Sequence, residues 1–139
     1  MAQLYPCSPR QELNGLPYFT RLCEKVRLFA AGDLHPELHA NLGKGMDLWA
    51  CQFLGVTYED LKSKILSGTS NEESLAWAEE TGQKRADFEK EWFSSYLLNR
   101  GFRDDLSSTL AKRIEESGFQ DREGIYSFAD YIDADEGRL

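Results

Sequence analysis

No apolar run in the 139 residues approaches the roughly 18 residues a membrane-spanning helix needs. A membrane role is therefore not expected. The opening Met-Ala-Gln-Leu-Tyr-Pro lacks the basic start and apolar core of a secretory leader, so the expected compartment is the cytoplasm. Cysteine is scarce: Cys7, Cys23 and Cys51 are an odd number at wide spacing, with no Cys-x-x-Cys pair. That removes a disulfide framework and the common zinc and redox motifs. Cys23 and Cys51 fall in apolar helical runs and read as small buried hydrophobes. Cys7, between Pro6 and Pro9, lies in a loop pattern with no base paired to it.

Histidine is limited to His35 and His39. Their i, i+4 spacing would suit a metal on a helix, but Pro36 intervenes and the Glu of His-Glu-x-x-His is missing. No metal and no cofactor is expected. Positive charge is also short: 16 Lys and Arg against 24 Asp and Glu give a net charge of −8. Phosphate neutralisation needs clustered cations, so nucleic acid is not an expected partner. Alternating strand patterns and internal repeats are absent too.

What is present is core material. Apolar residues make up 41% of the chain, with three Trp, eight Phe and six Tyr, enough for a packed interior. The length suits one domain, 1–139. Residues 1–16 read as an irregular extended segment, with Pro6 and Pro9 against helix and Asn14-Gly15 as a turn. Helical spacing then runs from about Pro17 to Gly32, with Arg21 and Lys25 one turn apart on a single stripe. A loop or short helical turn follows over Asp33–Gly45. Further helices are expected from Met46 to Phe53, from Thr57 to Ser67, and from an opening at Thr69-Ser70-Asn71 to Gly82. The next runs from Arg85 to Asn99, with Phe88, Trp92, Tyr96 and Leu97 inward. Two more start at Asp104-Asp105 and near Ile125. Trp49, Trp77 and Trp92 are all assigned to the core. Residues 130–139, with Asp130, Asp133, Asp135 and Glu136, read as a solvated acidic tail. The expected fold is mostly α: a single compact multi-helix domain of six or seven short helices.

Residues 1–50 carry five cations and five anions, so the whole net charge resides in the remainder. Cations held in a neutral part of an acidic chain point to a bounded anion site. The stretch His39-Ala-Asn-Leu-Gly-Lys-Gly-Met-Asp47 concentrates polar chemistry there. His39 carries an imidazole, the side chain best suited to acid–base work at neutral pH, with Asp47 either orienting it or capping the next helix. Gly43 and Gly45 permit close backbone approach, Lys44 adds a charge, and a helix N-terminus follows, a combination suited to a carboxylate or single phosphate. The Walker spacing is missing, which disfavours nucleotide hydrolysis.

The order Ser8-Pro9-Arg10, Gly15-Leu16, Arg21-x-x-x-Lys25-x-Arg27, His39 to Asp47, Phe53-Leu-Gly-Val56, Glu72-Glu73 to Trp77 and Tyr131-Ile-Asp-Ala-Asp-Glu-Gly137 resembles the bacterial DUF5069 family over nearly the full length. The resemblance implies one complete domain and carries no reaction with it. Two functions follow as expectations. The first is binding of a small organic anion through Arg21, Lys25, Asn41, Gly43, Lys44 and Gly45, with His39 and Asp47 for acid–base catalysis and the enzyme question left open. The alternative is a non-catalytic helical adaptor or regulatory domain that binds a protein partner. Nothing in the sequence specifies an oligomeric state.

Overall fold

The computed structural model describes residues 2–139. Its first element is a minimal hairpin, β1 (Glu12–Leu13) against β2 (Leu16–Pro17), in which Leu13 pairs with Leu16 across the Asn14-Gly15 turn. Asn14 and Gly15 both adopt positive φ, the geometry a two-residue hairpin turn requires. Leu4 forms a single parallel bridge to Leu34. These short pairings lie in and beside the N-terminal segment expected to be extended, where no strand is predicted. They escape a search for alternation because a two-residue strand has no period.

Seven α-helices follow: α1 (Phe19–Ala30), α2 (Met46–Leu54), α3 (Tyr58–Leu66), α4 (Asn71–Thr81), α5 (Asp87–Leu98), α6 (Ser107–Glu116) and α7 (Phe128–Asp135). A 3₁₀ helix, Pro36–Asn41, occupies the loop between α1 and α2. The caps are chemical. Thr57 Oγ1 accepts from the Asp60 amide, and Ser70 and Glu73 form a reciprocal capping box at the start of α4. Gly55 ends α2 in the left-handed conformation.

The fold is a single, mostly α domain. Its core gathers Phe19, Leu22 and Cys23 of α1 with Ala50, Cys51 and Leu54 of α2, Leu61 and Ile65 of α3, and Leu75 and Ala78 of α4. Phe93 and Leu97 join from α5. Burial pushes the Cys23 and Cys51 thiols up to about 12. Arg27 reaches from α1 to Asn71 Oδ1 at 2.5 Å and the Thr69 carbonyl at 3.0 Å, fixing the start of α4. No described helix is long and apolar enough to cross a membrane.

Two expectations are corrected. On α5 the inward face is Lys90, Phe93 and Leu97, whereas Phe88, Trp92 and Tyr96 face outward, with 54%, 70% and 49% exposure. Trp92 is therefore not a core residue, although Trp49 and Trp77 pack against the core. The acidic end is likewise not a frayed tail. Residues 128–135 are helix α7, and Asp130, Asp133 and Glu136 are drawn in by Arg10, Arg21 and Arg138.

Candidate functional site

α1 turns Arg21 and Lys25 toward the same side, and both are buried. Arg21 meets Glu136 in a two-pronged pair, Nη1 to Oε1 at 2.7 Å and Nη2 to Oε2 at 2.6 Å, and Nη1 also donates to the Cys7 carbonyl at 2.9 Å. These bonds hold the guanidinium charged although burial opposes it. The Arg21 Nε–H is buried and has no hydrogen-bond partner among the described residues.

Lys25 Nζ donates to Asp47 Oδ1 at 3.0 Å and to the Tyr18 hydroxyl at 3.3 Å. The Tyr18 hydroxyl in turn donates to Asp47 Oδ1 at 2.5 Å. Asp47 is fully buried, and its second oxygen accepts the Gly43 amide at 2.9 Å. Burial lowers the Lys25 amine from its ordinary value, with Asp47 acting against that shift. Burial and the Asp47 charge raise the Tyr18 phenol well above its own. Tyr18 stands at φ 76, immediately before α1, a left-handed conformation that a bulky residue rarely adopts.

Above this floor lies a cavity of about 490 Å³, within the range of small-molecule sites. The floor contributes Tyr18, Arg21 and Lys25. The 36–45 stretch gives Glu37, Asn41, Lys44 and Gly45, α2 gives Met46 and Trp49, α6 gives Thr109 and Arg113, and α7 with its C-cap gives Phe128, Tyr131, Ile132, Asp135 and Glu136. Trp49, Phe128 and Ile132 form an apolar wall against these polar groups. Arg21 is balanced by Glu136 and Lys25 by Asp47. Lys44, by contrast, is exposed and has no ion pair among the described residues.

Of the residues singled out in the sequence, Arg21, Lys25, Asn41, Lys44 and Gly45 line this cavity. Asp47 sits beneath it, bonded to two of the lining residues. Gly43 stands outside the lining but holds the loop: φ is +76, and a Cβ there would lie 3.1 Å from the Tyr58 ring. His39 is elsewhere. Its imidazole is exposed, donates from Nε2 to the Leu34 carbonyl at 2.9 Å, and stacks edge-on to Phe29. His35 stacks on Tyr5. Among the described residues no group of three His, Cys, Asp or Glu side chains is placed to hold a metal. The Cys7 thiol is pushed up to about 11 by burial and by Glu24, the opposite of what activates a nucleophile.

Sequence reasoning missed Tyr18, Glu37, Asp135 and Glu136. Tyr18 follows Pro17 as one more aromatic, and the three carboxylates lie in segments whose spacing says nothing about Arg21 or Lys25. A model of the family described as "Domain of unknown function (DUF5069)" matches residues 3–138. No curated protein matches the chain.

Proposed function

Because the chain belongs to the DUF5069 family over nearly its whole length, and that description names no reaction, we propose a function from the cavity itself: binding of a small organic anion, a carboxylate or single phosphate. The observation that supports it is the convergence of Lys25, Asn41, Lys44 and Gly45 on one cavity in which Lys44 alone has no carboxylate to neutralise it. The N-terminus of α2 opens beside Gly45, and the helix dipole favours negative charge there. The apolar wall of Trp49, Phe128 and Ile132 suits the carbon skeleton of the ligand. Acid–base chemistry in the cavity, if the protein is an enzyme, falls to Tyr18 and Lys25, which line it, before His39, which does not. We place the protein in the cytoplasm, in keeping with three free thiols.

Thermal shift with acetate, lactate, succinate and inorganic phosphate tests this reading. A ligand at about 100 times its Kd stabilises the folded chain by about 2.7 kcal/mol, so a clear rise in Tm is expected, and it should be lost in Lys44→Ala and weakened in Asn41→Ala. No rise with any anion, or a rise that survives both substitutions, overturns it. The adaptor reading draws on a separate observation, the outward aromatic stripe Phe88, Trp92 and Tyr96 on α5.

A further inference from the structure

Lys25 occupies an unusual position for a lysine. It lines the floor of the cavity, is buried, and its amine is held within 3.3 Å of a phenol and 3.0 Å of a carboxylate. As a structural device this trio is poorly chosen. Buried ion pairs add little net stability compared with apolar residues of the same volume, and Tyr18 holds its place only in a strained backbone conformation. The same trio is well arranged for nucleophilic work by an amine. Burial favours the uncharged, reactive form of Lys25, Asp47 Oδ1 is placed to take its proton, and Tyr18, bonded to both, is placed to pass that proton on. A ligand's negative end has donors waiting nearby: the orphaned Nε–H of Arg21 and the side chains of Asn41 and Lys44.

We propose that Lys25 captures the carbonyl group of a 2-oxo acid as an imine, with Tyr18 and Asp47 relaying the protons. The proposal rests on the anion-site reading and names its ligand class. The ammonium gives one proton to Asp47, and the freed lone pair forms a C–N bond to the carbonyl carbon. The π pair of the carbonyl moves onto oxygen, which receives that proton through Tyr18. A second proton leaves nitrogen by the same route, the C–O bond breaks, and water departs. The protonated imine keeps the third hydrogen of the original ammonium. Both hydrogens of the water come from Lys25, so no oxidant or other reactant is required.

Borohydride trapping of the full chain with pyruvate tests the step, with lactate, the hydroxy analogue, as the parallel arm. The expected result is one reduced adduct by intact mass, mapped by peptide analysis to Lys25, with none from lactate. Lys25→Arg should abolish the adduct, and Tyr18→Phe should slow its formation by about a hundredfold. Should Lys25→Arg fail to fold, peptide mapping of the unaltered chain decides the matter alone. An adduct on Lys44, or one spread over surface lysines, overturns the proposal. Thermal shift separates the two claims. If pyruvate and lactate both raise Tm but pyruvate is not trapped, the imine is overturned and the anion site stands; if neither raises Tm, both fall.

Discussion

Asp135 from α7 and Glu37 from the 3₁₀ helix meet in the cavity wall, and Tyr5 donates to Glu37 from the other side at 2.9 Å. Burial, then the hydrogen bond to Glu37 and the neighbouring carboxylate charges, push the Asp135 carboxyl up to about 6. An unfolded chain releases that proton near the ordinary Asp value of about 3.9. Between the two values the folded state therefore binds more protons than the unfolded one, and the contribution of Asp135 to stability falls as pH rises through that window. Asp135→Asn keeps a hydrogen-bonding amide but cannot ionise. Its Tm advantage over the unaltered chain should open between about pH 4 and 6 and stay constant above. A Tm difference that ignores pH would show that folding does not raise the Asp135 carboxyl.

At the scale of elements, the tightest constraint is where the end of α4 crosses the end of α2. A Cβ built on Gly82 would lie 2.1 Å from the Leu54 carbonyl oxygen and 2.8 Å from that of Gly55, and the Gln83 amide donates to the same Leu54 oxygen at 2.8 Å. Backbone on both sides has no rotamer with which to yield. Gly82→Ala should thus cost about 3 kcal/mol or more, read as a lowered urea midpoint at unchanged slope; a loss under about 1 kcal/mol would mean the crossing relaxes. The sequence marked Gly82 as a helix end and nothing more, because close approach leaves no local trace. The start of α3 is legible for the opposite reason: Thr57 and Asp60 act within three residues. Sequence does not decide the inward face of α5, because two stripes have helical spacing, Phe88-Trp92-Tyr96 and Lys90-Phe93-Leu97. Periodicity defines a stripe without saying which one faces in, and here the more aromatic one faces solvent. In the site, the Arg21 and Lys25 stripe was readable from spacing. Their partners were not, since Glu136 lies 115 positions from Arg21 and Asp47 lies 22 from Lys25. Imidazole chemistry alone singles out His39 in the sequence, and the Leu34 carbonyl that holds it is a backbone group that no side-chain pattern announces.

Across the whole molecule, an arginine–carboxylate lattice joins the two ends of the chain and forms the base of the cavity. Arg138 donates to Glu136 at 2.8 Å, to Asp133 at 3.1 Å and to the Pro6 carbonyl. Ser8 donates to Asp133 at 3.0 Å, and Arg10 pairs with Asp130. Arg21 and Glu136, each with 2% side-chain exposure, are the buried centre. Exposed pairs in this lattice contribute little singly. The centre behaves differently, because removing one partner leaves the other charge buried without compensation. Glu136→Ala should therefore lose about 3–5 kcal/mol, whereas Arg21→Met combined with Glu136→Leu should recover most of it by replacing the pair with apolar volume. A double-mutant cycle in urea measures the coupling. If Glu136→Ala falls within about 1 kcal/mol of the unaltered chain, or the double variant is no better than the single, Arg21 has another way to keep its charge and the C-terminal helix is not what holds the floor of the cavity in place.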